Sequence, residues 1–181
     1  MTKWEYVTVP LLTHATKQIL DTWGQDGWEL VQVIPGPNPD SLVAYLKRPV
    51  GAYVPARRTG DVITTSGQLP LRDGALPTIG KVGMQVSQQE AYDLARTAAL
   101  NALAAAAAEA GGLDAITGVA KVLVFVASAP SFTGQAAVAN GASELLGAVF
   151  GEAGAHARSA VGVAVLPLDS PVETELTVTL G

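Results

Sequence analysis

The pattern of hydrophobic and polar residues divides the chain into two parts. Residues 1–49 hold all three tryptophans and little alanine, whereas residues 50–181 are rich in Ala, Gly and Val. Alternating and periodic runs in the first part predict a strand, a helix and two strands, in the order "WEYVTVP", "HATKQILDTWGQDG", "WELVQVI" and "SLVAYLKR". We therefore expect a small β-α-β-β module at 1–49, with its tryptophans as core or interface anchors, and a larger domain at 50–181.

The larger part has clearer boundaries between its predicted elements. Its strands are predicted from "DVITTSGQ", "ITGVAKVLVFVAS", "ARSAVGVAVLP" and "SPVETELTVTL", and its helices from "SQQEAYDLARTAALNALAAAAAEAGG" and "AAVANGASELLGAVFG". Ser87 and Glu90 have the spacing of a capping box, and Gly111 is placed to end the first helix. Strands and helices mix without regular alternation, so the pattern favours an α+β fold over a doubly wound α/β fold.

Composition narrows the classes of function. The chain is 49% hydrophobic and 15% charged, which suits a packed core, and its net charge of −5 argues against non-specific nucleic-acid binding. Cysteine is absent, which excludes disulfides, thiolate catalysis and Cys-ligated metal, and two histidines argue against a His-rich metal site. The N-terminus has no apolar signal core and no run predicts a membrane span, so we expect a cytoplasmic protein without a membrane partner.

A single arginine opens the apolar run "ARSAVGVAVLP". Side chains alternate across a strand, so Arg158 shares its face with the small residues Ala160, Gly162 and Ala164. The opposite face carries valines and is expected to be the core. A guanidinium beside small side chains suits a planar carboxylate, although an arginine at a strand end can also be solvated or paired with an acid.

Two glutamates, Glu173 and Glu175, share a face of the last predicted strand. They form either a solvated face or a site in which one glutamate orients a water or moves a proton. A tight hairpin through residues 167–170 would pair Arg158 near Thr179, well away from Glu173. A site containing both Arg158 and Glu173 therefore requires another register or connection, or residues from two subunits.

Other candidates are less specific. Ser66 and Gly67 end a predicted strand, where a hydroxyl and an amide either contact a ligand or form an ordinary turn. His156 could share the face of Arg158, or be a capping or solvated residue. No nucleophile elbow, phosphate loop or dinucleotide fingerprint is present.

Residues 50–181 resemble the RidA family, also called the YjgF-like or reactive-intermediate-deaminase family. The resemblance rests on "GAYVPARR", "VITTSGQLP", "VLVFVAS", "VANGASELL" and above all "HARSAVGVAVLPLDSPVETE". The last segment matches the family's Ala-Arg-Ser segment, Leu-Pro turn and Val-Glu pattern in order, while "GKVG" and "NGASELL" indicate a divergent branch. Residues 1–49 separately resemble very small uncharacterised domains with a "WEY", "GWEL" and "AYLKR" signature.

The resemblance to RidA implies a chorismate-mutase-like fold with a mixed sheet and two helices, assembled as a homotrimer with clefts between subunits. It implies a 2-iminobutanoate/2-iminopropanoate deaminase-like hydrolase that converts reactive enamines and imines to 2-keto acids and ammonia without a cofactor or metal. In that family, the arginine at the Arg158 position grips the substrate carboxylate, the amide at Ala160 adds a donor, and the glutamate at Glu173 is assigned to the attacking water. Further cleft-lining positions are matched by Tyr53, Ser66, Gly67 and Asn140.

Two cleft positions depart from the family pattern. Ser143 stands where an aromatic residue is found, and Ala160 where active members often have cysteine, so we expect a wider or differently shaped pocket. One alternative function is a non-catalytic trimer that binds small carboxylates or scaffolds a protein partner through residues 1–49. Endoribonuclease activity, also reported for some family members, is least favoured, because the chain is acidic and lacks interleaved aromatic and basic residues.

Overall fold

The computed structural model describes residues 4–38, 41–49 and 53–181. These residues belong to two compact units, Met1–Tyr53 and Val54–Gly181. The domain boundary expected after residue 49 falls beside residues 50–52, which lie outside the described ranges.

The first unit has the predicted β-α-β-β order. Its elements are β1 (Trp4–Leu11), α1 (Thr16–Gln25), β2 (Glu29–Pro35) and β3 (Leu42–Pro49). The strands form an antiparallel sheet with β3 in the centre. Trp23 and Trp28 pack against the small buried cluster of this unit, with their ring centroids 5.7 Å apart in an edge-to-face arrangement. These two tryptophans therefore extend a thin core.

The second unit is a mixed five-stranded sheet with two long helices. Its elements are β4 (Ala56–Thr59), β5 (Val62–Thr65), α2 (Gln88–Ala110), β6 (Ile116–Ala127), α3 (Gln135–Phe150), β7 (Ala157–Val163) and β8 (Val172–Leu180). The strand order is β4-β5-β8-β6-β7, with β6 and β7 parallel and the other neighbouring pairs antiparallel. The α+β fold with a mixed sheet and two helices is confirmed.

Helix α2 begins and ends where its sequence predicts. The Ser87 hydroxyl accepts a hydrogen bond from the Glu90 amide at 3.2 Å, and the Glu90 carboxylate accepts one from the Ser87 amide at 2.9 Å. Gly111 ends the helix with a φ of 86°, in the left-handed region that glycine adopts readily. The buried residues of α2 are alanines and leucines, and small side chains allow helices to approach closely.

Strand β7 does not form a hairpin with β8. Strand β6 lies between them, so β7 is an edge strand whose outer backbone groups have no strand partner in the described part of the chain. In the strand register, Arg158 of β7 pairs with Val122 of β6, and Val122 in turn pairs with Leu176 of β8. The pairing of Arg158 near Thr179, expected for a tight hairpin, is therefore wrong.

The two faces of β7 also differ from the expectation. Arg158, Ala160 and Gly162 lie on the side of the sheet that faces α3, because their partners in β6 are the fully buried core valines. Val161 lies on the opposite, open side and is 42% exposed. The small residues admit the helix: a Cβ on Gly162 would lie 2.9 Å from Gln135 Nε2 of α3.

Candidate functional site

The Arg158 guanidinium is held by the face of α3 that packs over β7. Its Nη1 donates to Asn140 Oδ1 at 2.8 Å and to Ser143 Oγ at 3.1 Å. Asn140 and Ser143 are three residues apart in the helix and therefore point to the same side. The structure thus brings two predicted site residues, Arg158 and Asn140, into direct contact.

Two further side chains extend this cluster. Ser143 Oγ lies 2.9 Å from His156 Nε2, and His156 Nδ1 lies 2.6 Å from the Gly154 carbonyl oxygen. Strand parity placed His156 on the same face as Arg158, but the hydrogen-bonded link through Ser143 was missed. The only sequence signal for it was that Ser143 is polar at a position where the family has an aromatic residue.

The guanidinium retains unused hydrogen-bonding capacity. Arg158 is exposed, and within residues 4–38, 41–49 and 53–181 no carboxylate lies within 4.0 Å of it. Its recorded hydrogen bonds both start at Nη1, which leaves the edge formed by Nε and Nη2. That edge can hold a carboxylate through two parallel hydrogen bonds. Ala160 follows two residues later on the same face and is half-buried.

A second cluster contains Glu173, Gly67 and Ser66. A Cβ on Gly67 would lie 1.7 Å from Glu173 Oε1, so only glycine leaves room for the carboxylate in this position. The two segments are fixed by a pair of backbone hydrogen bonds between Gln68 and Thr174. Ser66 Oγ donates a hydrogen bond to the Val54 carbonyl oxygen at 2.7 Å. The Ser66 hydroxyl hydrogen is therefore already used within the protein.

The environment of Glu173 favours its protonated form. The side chain is half-buried, and burial, followed by the negative charge of Glu175, raises the pKa of this carboxyl above its ordinary value. A carboxylate with a raised pKa is a stronger base than a solvated one. Glu173 can therefore accept a proton from a water molecule more readily than an ordinary surface glutamate.

Within one chain the Arg158 and Glu173 clusters do not meet. Glu173 alternates with the buried Val172 and Thr174 and so points to the open side of the sheet, opposite to Arg158. Glu173 is level with Phe125, three residues along β6 from Val122, the partner of Arg158. This offset is about 10 Å along the strands, combined with about 9.5 Å across two strand spacings. A small ligand cannot touch both side chains of the same chain.

The remaining expectations concern Tyr53, metals and membranes. Tyr53 is the last residue of the first compact unit and is 70% exposed. In the part of the chain that the structure describes, no three His, Asp or Glu side chains are grouped so that they could hold a metal ion. Across the same residues, no helix combines the length and apolar character needed to cross a membrane.

Comparisons with known proteins assign the chain to a family. Residues 42–179 match the family model described as "YjgF/chorismate mutase-like, putative endoribonuclease". The chain is 44% identical over 133 residues to Protein TCP17 of Trypanosoma cruzi, covering 73% of this chain and 83% of that protein. Atu1372 of Agrobacterium tumefaciens, a protein of unknown function, has a TM-score of 0.71 and 42% identity, over 74% of this chain and 85% of its own. TdcF of E. coli, solved with bound serine, has a TM-score of 0.53 and 25% identity, over 73% and 91%. Since the family model spans more than half of the chain, the protein belongs to the YjgF/chorismate-mutase-like family, the RidA family that its Arg158 segment resembles.

Proposed function

We propose that the protein binds small 2-imino and 2-keto carboxylates between two copies of the chain and hydrolyses reactive enamines and imines to 2-keto acids and ammonia. The observation that carries this proposal is the Arg158 guanidinium, which α3 holds by one nitrogen while its Nε and Nη2 edge has no carboxylate partner in the described residues. This edge matches the planar, bidentate geometry of a carboxylate.

The ligand class is supported by a relative. TdcF of E. coli was solved with bound serine, which is a small molecule with a carboxylate beside a nitrogen-bearing carbon. A 2-imino acid has the same arrangement of groups. In our proposal Arg158 binds the carboxylate, and an amide at Ala160 and the Asn140 side chain complete the contacts on this side.

The site is proposed to lie between copies of the chain, because the two clusters face opposite sides of the sheet in one chain. The assembly is proposed to be the homotrimer that the family resemblance implies. A second copy would bring Glu173, Gly67 and Ser66 to the Arg158 of the first. The open side of the sheet supports such packing, since it carries Val161 and Val62, which are 42% and 36% exposed, and the half-buried Phe125. An apolar sheet face of this kind is typical of a protein interface.

The chemistry requires only a positioned water and a base. Glu173 accepts a proton from water as the oxygen attacks the imine carbon, and passes it to the nitrogen to give a carbinolamine. The hydroxyl proton then moves to the nitrogen as the C–N bond breaks, so that ammonia departs and a C=O group is left. An enamine first tautomerises to the imine. The imine carbon is electrophilic, so orientation and proton transfer suffice and no side-chain nucleophile is needed.

The proposal is tested with imino acids generated in situ by an amino-acid oxidase, following the release of 2-keto acid. Arg158→Ala should abolish the acceleration and remove the thermal stabilisation by 2-oxobutanoate. Glu173→Gln should lose the acceleration but keep that stabilisation. Arg96→Ala, which removes an exposed arginine from α2, is the matched control and should behave as wild type. Undiminished hydrolysis by Arg158→Ala would overturn the proposal, and ligand binding without turnover by the wild type would indicate a non-catalytic carboxylate-binding protein.

A site shared between copies makes a separate prediction. Co-expression of Arg158→Ala chains with Glu173→Gln chains should restore part of the activity, because some clefts would combine an intact Arg158 with an intact Glu173. Random assortment leaves about one quarter of the clefts intact. Absence of restoration in mixed oligomers of verified composition would contradict a site formed by two chains.

A further inference from the structure

We infer that Ser143 and His156 are positioning residues that orient the Arg158 guanidinium toward the ligand carboxylate. The three side chains form a continuous hydrogen-bonded chain that starts at Arg158 Nη1, passes through Ser143 Oγ and His156, and ends at the Gly154 carbonyl oxygen. The inference rests on the proposed function, since it assigns Arg158 the role of binding a carboxylate.

For a neutral His156 ring, the Gly154 carbonyl determines the direction of each hydrogen bond in this series. The Gly154 carbonyl can only accept, so His156 Nδ1 carries the hydrogen and donates it across 2.6 Å. In the neutral ring Nε2 is then an acceptor, and Ser143 must donate its hydroxyl hydrogen to it across 2.9 Å. The lone pairs of Ser143 Oγ are consequently available to Arg158 Nη1, which donates across 3.1 Å.

The hydrogen bonds to Arg158 also determine the orientation of its guanidinium plane. Nη1 carries two hydrogens, and the acceptors Asn140 Oδ1 and Ser143 Oγ take both of them. Because all N–H groups of a guanidinium lie in one plane, two acceptors on one nitrogen orient that plane and direct the opposite edge outward. If Ser143 lacked its hydroxyl, Asn140 alone would hold Nη1 and the exposed arginine could rotate.

The backbone places these groups in regular elements or directly beside them. Asn140 and Ser143 are about one helical turn apart on α3, His156 immediately precedes β7, and Arg158 is the second residue of that strand. Gly154 is buried, and a Cβ there would lie 2.5 Å from the Leu146 carbonyl oxygen, so its backbone packs closely against α3. An arginine side chain that is already preorganised loses less conformational entropy on binding a ligand than a freely rotating one.

The experiment measures the dissociation constant of 2-oxobutanoate by calorimetry, and kcat and KM for imine hydrolysis. Ser143→Ala and His156→Ala should each weaken 2-oxobutanoate binding and raise KM by about fivefold, with kcat nearly unchanged. Ser143→Thr keeps the hydroxyl and should restore most of the affinity. His156→Gln keeps an acceptor near the position of Nε2 and should do the same. Alanine is a good helix former, so Ser143→Ala is expected to remain folded.

Two readouts separate positioning from general structural damage. The NMR signal of the Arg158 Nε–H group should show increased mobility in Ser143→Ala. The double variant Ser143→Ala/His156→Ala should bind 2-oxobutanoate no more weakly than Ser143→Ala alone, since both substitutions interrupt the same series of hydrogen bonds. His14→Ala, an exposed histidine in the first unit, should match wild type. A loss of kcat at constant KM in Ser143→Ala, or additive losses in the double variant, would overturn the inference.

If Arg158→Ala abolishes binding while Ser143→Ala and His156→Ala leave it unchanged, the positioning inference fails and the proposed function stands. If Arg158→Ala itself has no effect, the proposed function fails.

Discussion

Replacing Gly141 by alanine is expected to destabilise the second unit, because the backbones of α2 and α3 meet at this residue. A Cβ on Gly141 would lie 2.0 Å from the Tyr92 carbonyl oxygen, 2.9 Å from the Tyr92 carbonyl carbon and 3.2 Å from the Arg96 amide nitrogen. Real Cβ contacts are essentially never shorter than 3.0 Å, so the helices must move apart by about 1 Å. The atoms in the way belong to a helix backbone, which cannot rotate aside as a side chain can.

The magnitude follows from two opposing terms. Overpacking costs about 1–3 kcal/mol, and an obstacle formed by backbone justifies the upper end of this range. Replacement of glycine by alanine inside a helix stabilises the helix by about 1 kcal/mol, because alanine has the higher helix propensity. We therefore expect the free energy of unfolding of Gly141→Ala to fall by about 2 kcal/mol. Because Gly141 lies between Asn140 and Ser143, the shift of α3 should also weaken carboxylate binding.

Gly147→Ala is the matched control in the same helix. Gly147 is exposed and a Cβ there would meet nothing within 4 Å, so this variant should gain about 0.5–1 kcal/mol. Both are measured by urea unfolding, followed by far-UV circular dichroism at equal protein concentration, since assembly makes stability depend on concentration. The reasoning is refuted if Gly141→Ala is as stable as wild type, or if Gly147→Ala loses as much stability as Gly141→Ala.

Three further predictions address the proposed ligand site and the fold. Gly67→Ala should displace the Glu173 carboxylate, which a Cβ would approach to 1.7 Å, and should therefore lower kcat for imine hydrolysis as far as Glu173→Gln does. The free energy of unfolding of Gly67→Ala should fall by less than about 1 kcal/mol, because the obstacle is the end of a flexible side chain. A wild-type kcat in this variant would contradict the predicted displacement of Glu173. Ser87→Ala removes the hydroxyl that accepts from the Glu90 amide, while the bond from the residue 87 amide to the Glu90 carboxylate can remain. It should lower the free energy of unfolding by about 1 kcal/mol in urea unfolding, whereas no change would show that the cap is dispensable. The pKa of Glu173 is raised in the folded chain, so this carboxyl contributes stability that is fully present below its ordinary value of 4.5 and is lost as the pH rises through the folded pKa. Glu173→Gln should consequently melt at a higher temperature than wild type at neutral pH, and thermal scans below pH 4.5 should show this difference disappear; a difference independent of pH would contradict the assignment.

Local patterns predicted both long helices of the second unit and four of its five strands, whereas β4 (Ala56–Thr59) was not predicted. The capping-box spacing of Ser87 and Glu90 predicted the start of α2, and Gly111 its end, because both signals depend on residues close together in the chain. Strand parity likewise grouped Arg158 with Ala160 and Gly162 on one face of β7, as the structure has it. The family resemblance to RidA followed from the Arg158 segment and is confirmed by the family model.

Only the tertiary structure decided which face of β7 is covered and which strand lies beside it. Parity states which side chains share a face, but a face is buried only when another element packs on it, and here α3 covers the small residues and leaves Val161 open. The separation of Arg158 from Glu173 has the same origin. Strand β6 precedes β7 by a whole helix in the chain and yet pairs between β7 and β8, and such long-range pairing leaves no trace in the local pattern. The sequence by itself therefore determined the chemistry of an exposed arginine beside small residues. The fold decided that its partners are Asn140, Ser143 and, through Ser143, His156, and that Glu173 faces the opposite side of the sheet, because both depend on packing between residues far apart in the chain.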